Sequence, residues 1–362
     1  MKKFKVGILG ATGMVGQKYI SLLENHPYFS VVYVAASEKS AGKTYNEAVK
    51  GRWHMENDIP KNVAKLNVYD VEDVATAIKQ CDFVFSAFEI SDKKEVIRIE
   101  EAYAKAGLPV ISNSSANRWT SDVPMIIPEI NSDHSKIIPT QQKNHGFKKG
   151  FIACKPNCSI QSYLTAIYAL EKAGFPVSKI MVTTMQAVSG AGYPGVPSLD
   201  MIDNIVPYIG GEEEKTENEP KKILGEIKNG VFKKNKDISI SATCTRVPVT
   251  DGHTAVVHIK FKNKKPSMEE IVKIWDKFSG EPQKLKLPSA PVQPLIYKTE
   301  ENRPQPKKDR DTENGMVLSL GRLEECEVLD YKFVGLSHNT VRGASGGAIL
   351  MAELLVAQKY IK

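Results

Sequence analysis

The sequence is poor in several features that mark particular protein classes. Its 362 residues include only five cysteines, an odd number at irregular spacing, which argues against a disulfide framework. It contains no CxxC pair and no Cys/His cluster with the spacing of a zinc site. We therefore expect a reduced, cytoplasmic protein that binds no metal.

Long apolar runs and a concentrated basic patch are also missing. No apolar run reaches the about 18 residues that indicate a membrane-spanning helix, and the first residues show no secretory h-region or cleavage site. The formal net charge of +7 comes from lysines spread along the chain. Because a nucleic-acid interface usually concentrates its basic residues, we expect small-molecule ligands and neither a nucleic-acid nor a membrane partner.

The first part of the chain alternates between short apolar runs and amphipathic stretches. The composition, 41% hydrophobic and 25% charged, is that of a globular protein, and 362 residues are enough for two domains. The alternation predicts right-handed βαβ units, and hence an α/β fold with a Rossmann-like, doubly wound parallel sheet. The predicted strands are 5–9, 29–36, 83–87 and 109–113, with helices at 71–80 and 91–107.

After residue 158 long β-like runs dominate, which predicts a second, α+β domain with a mixed sheet. The last segment, 343–361, has a helical pattern and can return to the first sheet. We therefore expect one domain of residues 1–157 plus 341–362 and another of residues 158–340. The β-like runs are 179–188, 237–249, 253–261, 316–323 and 328–336, with helices at 217–229 and 267–278.

A glycine-rich turn follows the first predicted strand. Gly10, Gly13 and Gly16 form a GxxGxxG pattern that opens a helix. Glycine permits a tight turn and a close approach of the backbone to a pyrophosphate, whose charge the helix N-terminus favours. The alternative is a structural turn that binds nothing, because the pattern is weak outside its strand–helix context.

The end of the second predicted strand favours NADP over NAD. An NAD site usually has an acidic residue here that holds the ribose 2′-hydroxyl. This chain has Ser37, Lys39 and Lys43, which can hydrogen-bond and neutralise a 2′-phosphate. Glu38 is an unfavourable neighbour unless it points to solvent.

Cys158 lies in the sequence Pro-Asn-Cys-Ser, between a strand-like run, 151–155, and a helical run, 160–173. At a helix N-terminus, unpaired N–H groups and the helix dipole favour an anion, and the thiolate is the nucleophilic form of cysteine. Together with a dinucleotide site, this position predicts oxidation or reduction at an acyl carbon through a thioester. The alternative is a buried structural cysteine. That role is assigned to Cys81, Cys154, Cys244 and Cys326.

Other charged residues can complete such a site. His253 follows a turn and begins a β-like run, so it is the best candidate base for the thiol, with a surface histidine as the alternative. Arg246 offers the fork that suits a substrate carboxylate. Glu219 and Lys222 share one face of a helix and are either site residues or a surface ion pair. Arg118 follows a strand end, where it can hold a phosphate or a neighbouring carboxylate.

Six segments together resemble the aspartate-β-semialdehyde dehydrogenase family, in its archaeal and fungal branch. They occur in order from one end of the chain to the other, and their combination is far more specific than any single motif. The segments are 10–16, 156–159, 186–192, 219–225, 246–253 and 339–347.

The resemblance implies catalytic roles for four residues. Cys158 is implied as the acyl-enzyme nucleophile and His253 as the acid/base. Asn157 is implied to position the reacting group, and Gln186 to orient the thioester. The residues implied to hold NADP are Gly10, Thr12, Gly13, Met14, Val15, Gly16, Ser37, Lys39, Ser40, Ser189, Gly190 and Asn339.

The resemblance also implies how a substrate is held. Arg246 is implied to bind the α-carboxylate and Glu219 the α-ammonium of an aspartyl group, while Lys222 and Arg118 bind its phosphate. The implied reaction is the NADPH-dependent reductive dephosphorylation of L-aspartyl-β-phosphate to L-aspartate-β-semialdehyde, in the biosynthesis of lysine, methionine, threonine and isoleucine. The family is generally dimeric or tetrameric through its second domain, so we expect a homodimer or homotetramer.

Three alternatives stay open. Malonyl-CoA reductase and N-acetyl-γ-glutamyl-phosphate reductase share the architecture but need no ammonium site, so Glu219 would lack its partner. The non-enzyme alternative is a silent dinucleotide-binding regulatory protein, and the presence of both Cys158 and His253 speaks against it. The sequence assigns no role to segments 191–197 and 302–311.

Overall fold

The computed structural model describes residues 3–88, 90 and 92–362. Within them, the first sheet has six strands, all parallel, and its spatial order β3-β2-β1-β4-β5-β6 reverses at β1, as in a doubly wound sheet. These strands are β1 (Phe4–Leu9), β2 (Phe29–Ala36), β3 (Val68–Asp70), β4 (Phe83–Ser86), β5 (Val110–Ser112) and β6 (Ile152–Cys154).

Both faces of this sheet are covered, which explains why its strands are mostly apolar. On β4, Phe83 and Phe85 belong to one buried cluster, whereas Val84 between them belongs to another on the opposite face. This alternation follows from the two-residue period of side chains along a strand. The helices of this part are α1 (Met14–Leu22), α2 (Tyr45–Ala48), α3 (Lys61–Ala64), α4 (Val74–Gln80), α5 (Lys93–Ala106), α6 (Pro128–Asn131) and α7 (Ile138–His145), with a 3-10 turn at Ser132–Ile137.

The second sheet is mixed and has the order β10-β7-β11-β14-β13-β12, while β8 and β9 form a separate hairpin. Its β10/β7 and β12/β13 pairs are parallel and the others are antiparallel. The strands are β7 (Val177–Gln186), β8 (Glu226–Lys228), β9 (Val231–Lys233), β10 (Ser239–Arg246), β11 (His253–Phe261), β12 (Leu295–Lys298), β13 (Leu318–Glu325) and β14 (Tyr331–Ser337).

Helices cover one face of the second sheet. On β7, Ile180 and Val182 are buried, whereas the alternate residues Met181 and Thr183 are exposed, so the opposite face of this strand is open. The remaining helices are α8 (Leu164–Lys172), α9 (Ser198–Met201), α10 (Glu212–Ile223), α11 (Met268–Lys277), α12 (Glu281–Lys284), α13 (Pro306–Asp309) and α14 (Gly346–Ala357). Short 3-10 turns at Ser159–Ser162 and Val188–Ala191 and a π-type turn at Val341–Ser345 complete the chain.

The predicted fold class, a Rossmann-like parallel sheet followed by a domain with a mixed sheet, is confirmed. The helix predicted at 217–229 is wrong in its bounds. It runs from Glu212 to Ile223. Its start is favoured by three glutamates in the first turn. Its end is followed by the β8–β9 hairpin, which packs so closely that a Cβ at Gly225 would overlap the Lys233 carbonyl oxygen. The patterns do not predict β3 or β12, which are short. Ser91, the first residue of the helix predicted at 91–107, lies outside the described residues.

The C-terminal helix α14 returns to the first sheet. Its buried residues, among them Leu350 and Leu354, belong to the same apolar cluster as Val6 and Ile8 of β1. The division into residues 1–157 plus 341–362 and residues 158–340 stays a prediction, and this packing supports it. No helix in the described part of the chain has the length and apolar character needed to span a bilayer.

Candidate active site

Residues that follow or end strands of both sheets line one cleft of about 870 Å³. It lies beyond the carboxyl ends of β1, β2, β5 and β6, where ligands bind in open α/β sheets. From the second sheet, the residues that end β7 and β10, Gln186 and Arg246, also line it. Residues from both parts of the chain therefore face one ligand space.

Cys158 lines this cleft, and His253, which is outside the lining, contacts its sulfur. The Cys158 Sγ lies 3.3 Å from the His253 Nε2. Cys158 follows β6 and precedes a 3-10 turn, whereas His253 is the first residue of β11 and is fully buried. The backbone passes so near the nucleophile that a Cβ at Gly343 would lie 2.9 Å from the Cys158 Cβ, so glycine is needed there.

The hydrogen bonds of His253 determine where its proton lies. The Ala187 backbone N–H donates to Nδ1 at 3.0 Å. Because a backbone N–H can only donate, Nδ1 carries no proton, and the neutral ring has its proton on Nε2, which faces the sulfur. Burial, followed by the nearby Arg246 charge, lowers the His253 pKa to about 3. The imidazole is therefore a neutral hydrogen-bond donor here, whereas the sequence predicted a base that titrates near neutral pH.

The charge state of Cys158 also differs from the sequence expectation of a thiolate stabilised by a helix N-terminus. Burial raises the pKa of this thiol to about 11, and the Glu212 carboxylate adds to the rise. The positive charges of Lys155, Arg118 and Arg246 act in the opposite direction. Desolvation is the largest of these effects, so the sulfur is a thiol at neutral pH.

Two amide side chains flank the nucleophile. Asn157 donates through Nδ2 to a Glu212 carboxylate oxygen at 2.8 Å, and Gln186 donates through Nε2 to the same oxygen at 3.2 Å. The Asn157 carbonyl oxygen accepts from the Ser159 backbone N–H and hydroxyl, both at 2.7 Å. Both predicted amides thus lie in one network beside Cys158.

Two arginines among the predicted residues line the cleft. Arg246 donates through Nη1 to the Ala187 carbonyl oxygen at 2.8 Å, which leaves other donors of its guanidinium for a carboxylate. Arg118 makes a 2.8 Å ion pair through Nη1 with Glu219 and also donates to the carbonyl oxygens of Lys155 and Asn113. The cleft therefore contains two arginines whose charges act on Cys158.

Glu219 and Lys222 do not line the cleft. Glu219 is fully buried between Arg118 and the Asn157 backbone N–H, to which its second oxygen lies at 2.6 Å. The Lys222 ammonium donates to the carbonyl oxygens of Arg118, Thr120 and Val123. Both residues are buried and bonded to the loop that carries Arg118, so they do not form the exposed surface ion pair that was the alternative.

The glycine-rich turn forms the other end of the cleft, which is lined by Gly10, Thr12, Gly13, Met14 and Val15. No side chain caps the first turn of α1, so its N–H groups are available to an anion. A Cβ at Gly13 would reach nothing closer than 3.6 Å, whereas one at Gly10, with φ of +78°, would lie 2.7 Å from the Phe88 backbone nitrogen. The turn is thus a built cradle that fits a dinucleotide pyrophosphate.

The remaining predicted cofactor residues divide into two groups. Ser37 lines the cleft, whereas Lys39 and Ser40 follow in the same turn and lie outside the lining. Gly16 also lies outside the lining and packs against the loop, where a Cβ would overlap the Gly10 carbonyl oxygen. At the opposite end the lining includes Ser189, Gly190 and Asn339, and the Asn339 amide donates to the Ser189 hydroxyl at 2.8 Å.

Several residues of the cleft escape the sequence patterns. Glu212 and Lys215 lie one turn apart at the start of α10, and both face the cleft, while Lys155 is 3% exposed beside Cys158. His54 of the first domain stacks on Tyr193 of the second, with ring centroids 4.1 Å apart. Glu212 and Lys215 are three residues apart, as are the predicted Glu219 and Lys222 two turns later. This shared spacing is a sequence signal that could have indicated Glu212 and Lys215.

Comparisons with known proteins match both parts of this chain. Residues 5–138 match the family model described as "Semialdehyde dehydrogenase, NAD binding domain", and residues 167–342 match "Semialdehyde dehydrogenase, dimerisation domain". The chain is 44% identical to an aspartate-semialdehyde dehydrogenase of Aspergillus fumigatus, over 99% of each chain. It is also 44% identical to one of Methanothermobacter thermautotrophicus, over 97% of this chain and 98% of that protein.

A solved structure is similar to this one over almost the whole chain. The aspartate semialdehyde dehydrogenase of Candida albicans, solved with NADP, has a TM-score of 0.89 and 38% identity, and the match covers 99% of this chain and 100% of the other. The aspartate semialdehyde dehydrogenase II of Vibrio cholerae, at 24% identity and a TM-score of 0.75, shows the shared fold. Since identity and coverage are this high across fungal and archaeal relatives, the chain belongs to the aspartate-semialdehyde dehydrogenase family.

Proposed function

We propose that this protein uses NADPH to reduce L-aspartyl-β-phosphate to L-aspartate-β-semialdehyde, in the biosynthesis of lysine, methionine, threonine and isoleucine. The observation that carries the proposal is the 3.3 Å approach of Cys158 Sγ to His253 Nε2, in a cleft that also contains the Arg246 guanidinium and the glycine-rich turn. The names of the fungal and archaeal relatives support the same substrate.

Cys158 is the proposed nucleophile. Its sulfur forms a bond to the β-acyl carbon, the bond from that carbon to the phosphate oxygen breaks, and the thiol proton leaves with the departing phosphate. The Nε2–H of His253 points at the sulfur, and a hydrogen bond to the charged form favours the thiolate. The same donor stabilises the acyl oxygen when negative charge develops on it. Asn157 and Gln186 hold the acyl group between them.

The cofactor site fits NADP. The proposed residues are those of the glycine-rich turn, with Ser37, Lys39 and Ser40 near the 2′-phosphate and Ser189, Gly190 and Asn339 at the nicotinamide end. NADPH, when bound, supplies the hydride that reduces the acyl group. The protein places the sulfur and the glycine-rich turn in one cleft, so that the acyl carbon and the cofactor share one space.

Two cations are proposed to hold the substrate. Arg246 binds the α-carboxylate through its free guanidinium donors, and Arg118 binds the phosphate. Glu219 and Lys222 were expected to bind the ammonium and the phosphate. In the structure they bind protein groups instead, so those two contacts require the substrate to displace the bonds to Arg118 and to the loop carbonyls.

We propose that the second domain forms a homodimer or homotetramer in the cytoplasm. The matched family model is a dimerisation domain. The segment before α10 exposes large apolar residues that a monomer leaves in water: Leu199 at 85%, Ile202 at 67% and Tyr208 at 66%. Sedimentation equilibrium of the whole chain measures the assembly, and a monomer at micromolar concentration would remove this part of the proposal.

A pair of assays separates the proposed substrate from its alternatives. NADPH production from aspartate semialdehyde should depend on phosphate or arsenate, whereas NADPH oxidation with malonyl-CoA should be negligible. Activity only with malonyl-CoA would replace the substrate assignment. Activity only with N-acetyl-γ-glutamyl phosphate would indicate the acylated-amino-acid reductase, and NADPH binding without turnover of any of these substrates would favour the silent regulatory protein.

A further inference from the structure

Lys155 is a buried amine beside the nucleophile, and the proposed reaction has no role for it. It follows the last residue of β6, lines the cleft and is 3% exposed. Its Nζ donates to the Pro156 carbonyl oxygen at 3.0 Å, which keeps the amine at the segment that carries Cys158. Burying an ammonium group is costly unless a negative charge compensates it. The position of this lysine therefore calls for a partner.

The turn before α14 packs against both the amine and the nucleophile. A Cβ at Gly343 would lie 2.9 Å from the Cys158 Cβ, and a Cβ at Gly347 would lie 3.0 Å from the Lys155 Cε. Because both positions are glycine, one backbone segment approaches the two side chains closely. This packing confines the Lys155 side chain to the neighbourhood of Cys158.

The arginines near Lys155 are already paired with carboxylates. Arg118 pairs with Glu219 at 2.8 Å, and Arg342 pairs with Glu129 at 2.9 Å. Within residues 3–88, 90 and 92–362, no carboxylate forms an ion pair with Lys155. Its charge is therefore available to compensate another anion in the cleft.

The Cys158 thiolate is the anion on which this charge acts most directly. Burial and then the Glu212 charge raise the pKa of the thiol. Among the charges that oppose this rise, Lys155 has the largest effect, ahead of Arg118 and Arg246. Lys155 is therefore the cation that most favours the nucleophilic form of the sulfur.

The coupling is also visible at the amine. Burial is the largest influence on Lys155 and lowers its pKa to about 7. Ionised Cys158 is the strongest of the charges that oppose this, and Glu219 acts in the same direction as Cys158. The charges of Arg118 and Arg342 lower the pKa further. Each of the two groups thus stabilises the charged form of the other.

We propose that Lys155 activates Cys158: its buried ammonium group stabilises the thiolate that attacks the acyl group. This role rests on the proposed function and answers a need of the site, since burial keeps the sulfur protonated and His253 is neutral. Lys155 is a positioning residue, because it acts through the sulfur and forms no bond to the substrate. It contributes charge alone, and the thiol proton leaves with the departing phosphate.

This role predicts a bend in the pH dependence of thiol reactivity. Below a pH of about 7 the Lys155 amine is charged, and the thiolate fraction rises about tenfold for each pH unit. Above that pH the amine loses its proton, so the stabilisation is lost as fast as the thiolate is gained and the rate becomes level. The rate rises again only at the higher pH where the thiol ionises beside a neutral amine.

The test measures the rate at which iodoacetamide alkylates Cys158 between about pH 5.5 and about pH 9.5, with the adduct located by peptide mass spectrometry. The full-length wild type should show the bend. Lys155→Met keeps the length of the side chain and removes the amine. Below pH 7 it should react about tenfold more slowly or less, since a nearby opposite charge changes the ionised fraction about 10- to 1,000-fold. Its rate should rise without a bend and approach that of the wild type at the upper end of the range.

Lys149→Met is the matched control, because it removes the same charge from an exposed position just before β6, outside the cleft lining. It should keep the bend and the wild-type rates. In turnover at about pH 6.5, kcat/KM of Lys155→Met with aspartate semialdehyde should fall about tenfold or more, while the NADPH dissociation constant stays unchanged. A raised KM for phosphate with an unaltered alkylation profile would make Lys155 a phosphate ligand and overturn the activating role.

The wild-type profile decides the matter even if Lys155→Met does not fold. A wild-type rate that rises without a bend over the whole range would overturn the proposal, and so would a bend that persists in Lys155→Met. A wild-type protein inactive with aspartate semialdehyde would instead refute the proposed function, and the alkylation profiles would still report whether Lys155 is coupled to Cys158.

Discussion

The two ends of the cleft are built differently. At the chemical end, His253 and Gln186 are 0% and 2% exposed, and each is hydrogen-bonded to protein groups. At the dinucleotide end, Gly13 and Ser37 are exposed, and the first turn of α1 has no side-chain cap. The chemical end is thus fixed by hydrogen bonds within the protein, whereas the dinucleotide end presents N–H groups that no side chain caps.

This difference has a physical reason. Catalysis gains from dipoles that are fixed before charge develops, because they need no reorganisation during the reaction. A pyrophosphate brings its own charge, and open N–H groups at a helix start are sufficient to receive it. Substitutions at the chemical end should therefore alter turnover and leave cofactor binding intact, and substitutions at the dinucleotide end should do the reverse.

The largest expected effect follows from removing the sulfur. Cys158→Ser should reduce turnover by about 1,000-fold or more, because the hydroxyl is a far weaker nucleophile, while NADPH binding measured by calorimetry stays nearly as in the wild type. Cys326→Ser, at a half-buried cysteine outside the cleft lining, is the control and should retain activity. Loss of NADPH affinity in Cys158→Ser would show that the two ends are coupled.

A smaller effect is expected at His253, where two variants separate a donor from a base. His253→Ala should lower kcat about 100- to 1,000-fold, the usual cost of a lost donor to developing charge. His253→Gln, whose amide NH2 group can replace the Nε2–H, should recover part of that loss. Equal activity in the two variants would contradict the donor role that the Ala187 hydrogen bond indicates.

The smallest effect is expected at the dinucleotide end. Ser37→Asp introduces the acidic residue that holds the ribose 2′-hydroxyl of NAD and repels a 2′-phosphate. Its kcat/KM with NADPH should fall about tenfold while that with NADH stays level or rises, and kcat with saturating NADPH should change little. Glu38→Gln, at an exposed neighbouring position, serves as the control. Unchanged NADPH preference in Ser37→Asp would remove Ser37 from the site.

The sequence predicts what is local. Strands β2 and β11 have the predicted bounds, because the apolar pattern that indicates a strand lies within consecutive residues. Cys158 and Arg246 line one cleft, and His253 contacts the Cys158 sulfur, while the roles assigned to these residues stay predictions.

The missing parts depend on contacts between distant segments. The tautomer of His253 is set by the backbone of Ala187, 66 residues away in the chain, and the orientation of Asn157 is set by Glu212, 55 residues away. Glu219 was expected to bind the substrate, but it lies outside the cleft lining and pairs with Arg118. The burial of Cys158, which is the main cause of its raised pKa, likewise depends on packing that a local sequence pattern does not predict.

The most direct measurement concerns the thioester on Cys158. The wild-type enzyme is mixed with aspartate semialdehyde and NADP⁺ without phosphate, so that the acyl group forms but has no phosphate to receive it. Rapid kinetics should show a burst of NADPH close to one per active site, and peptide mass spectrometry should find an aspartyl adduct on Cys158. A burst without an adduct on Cys158, or an adduct on another residue, would contradict the account.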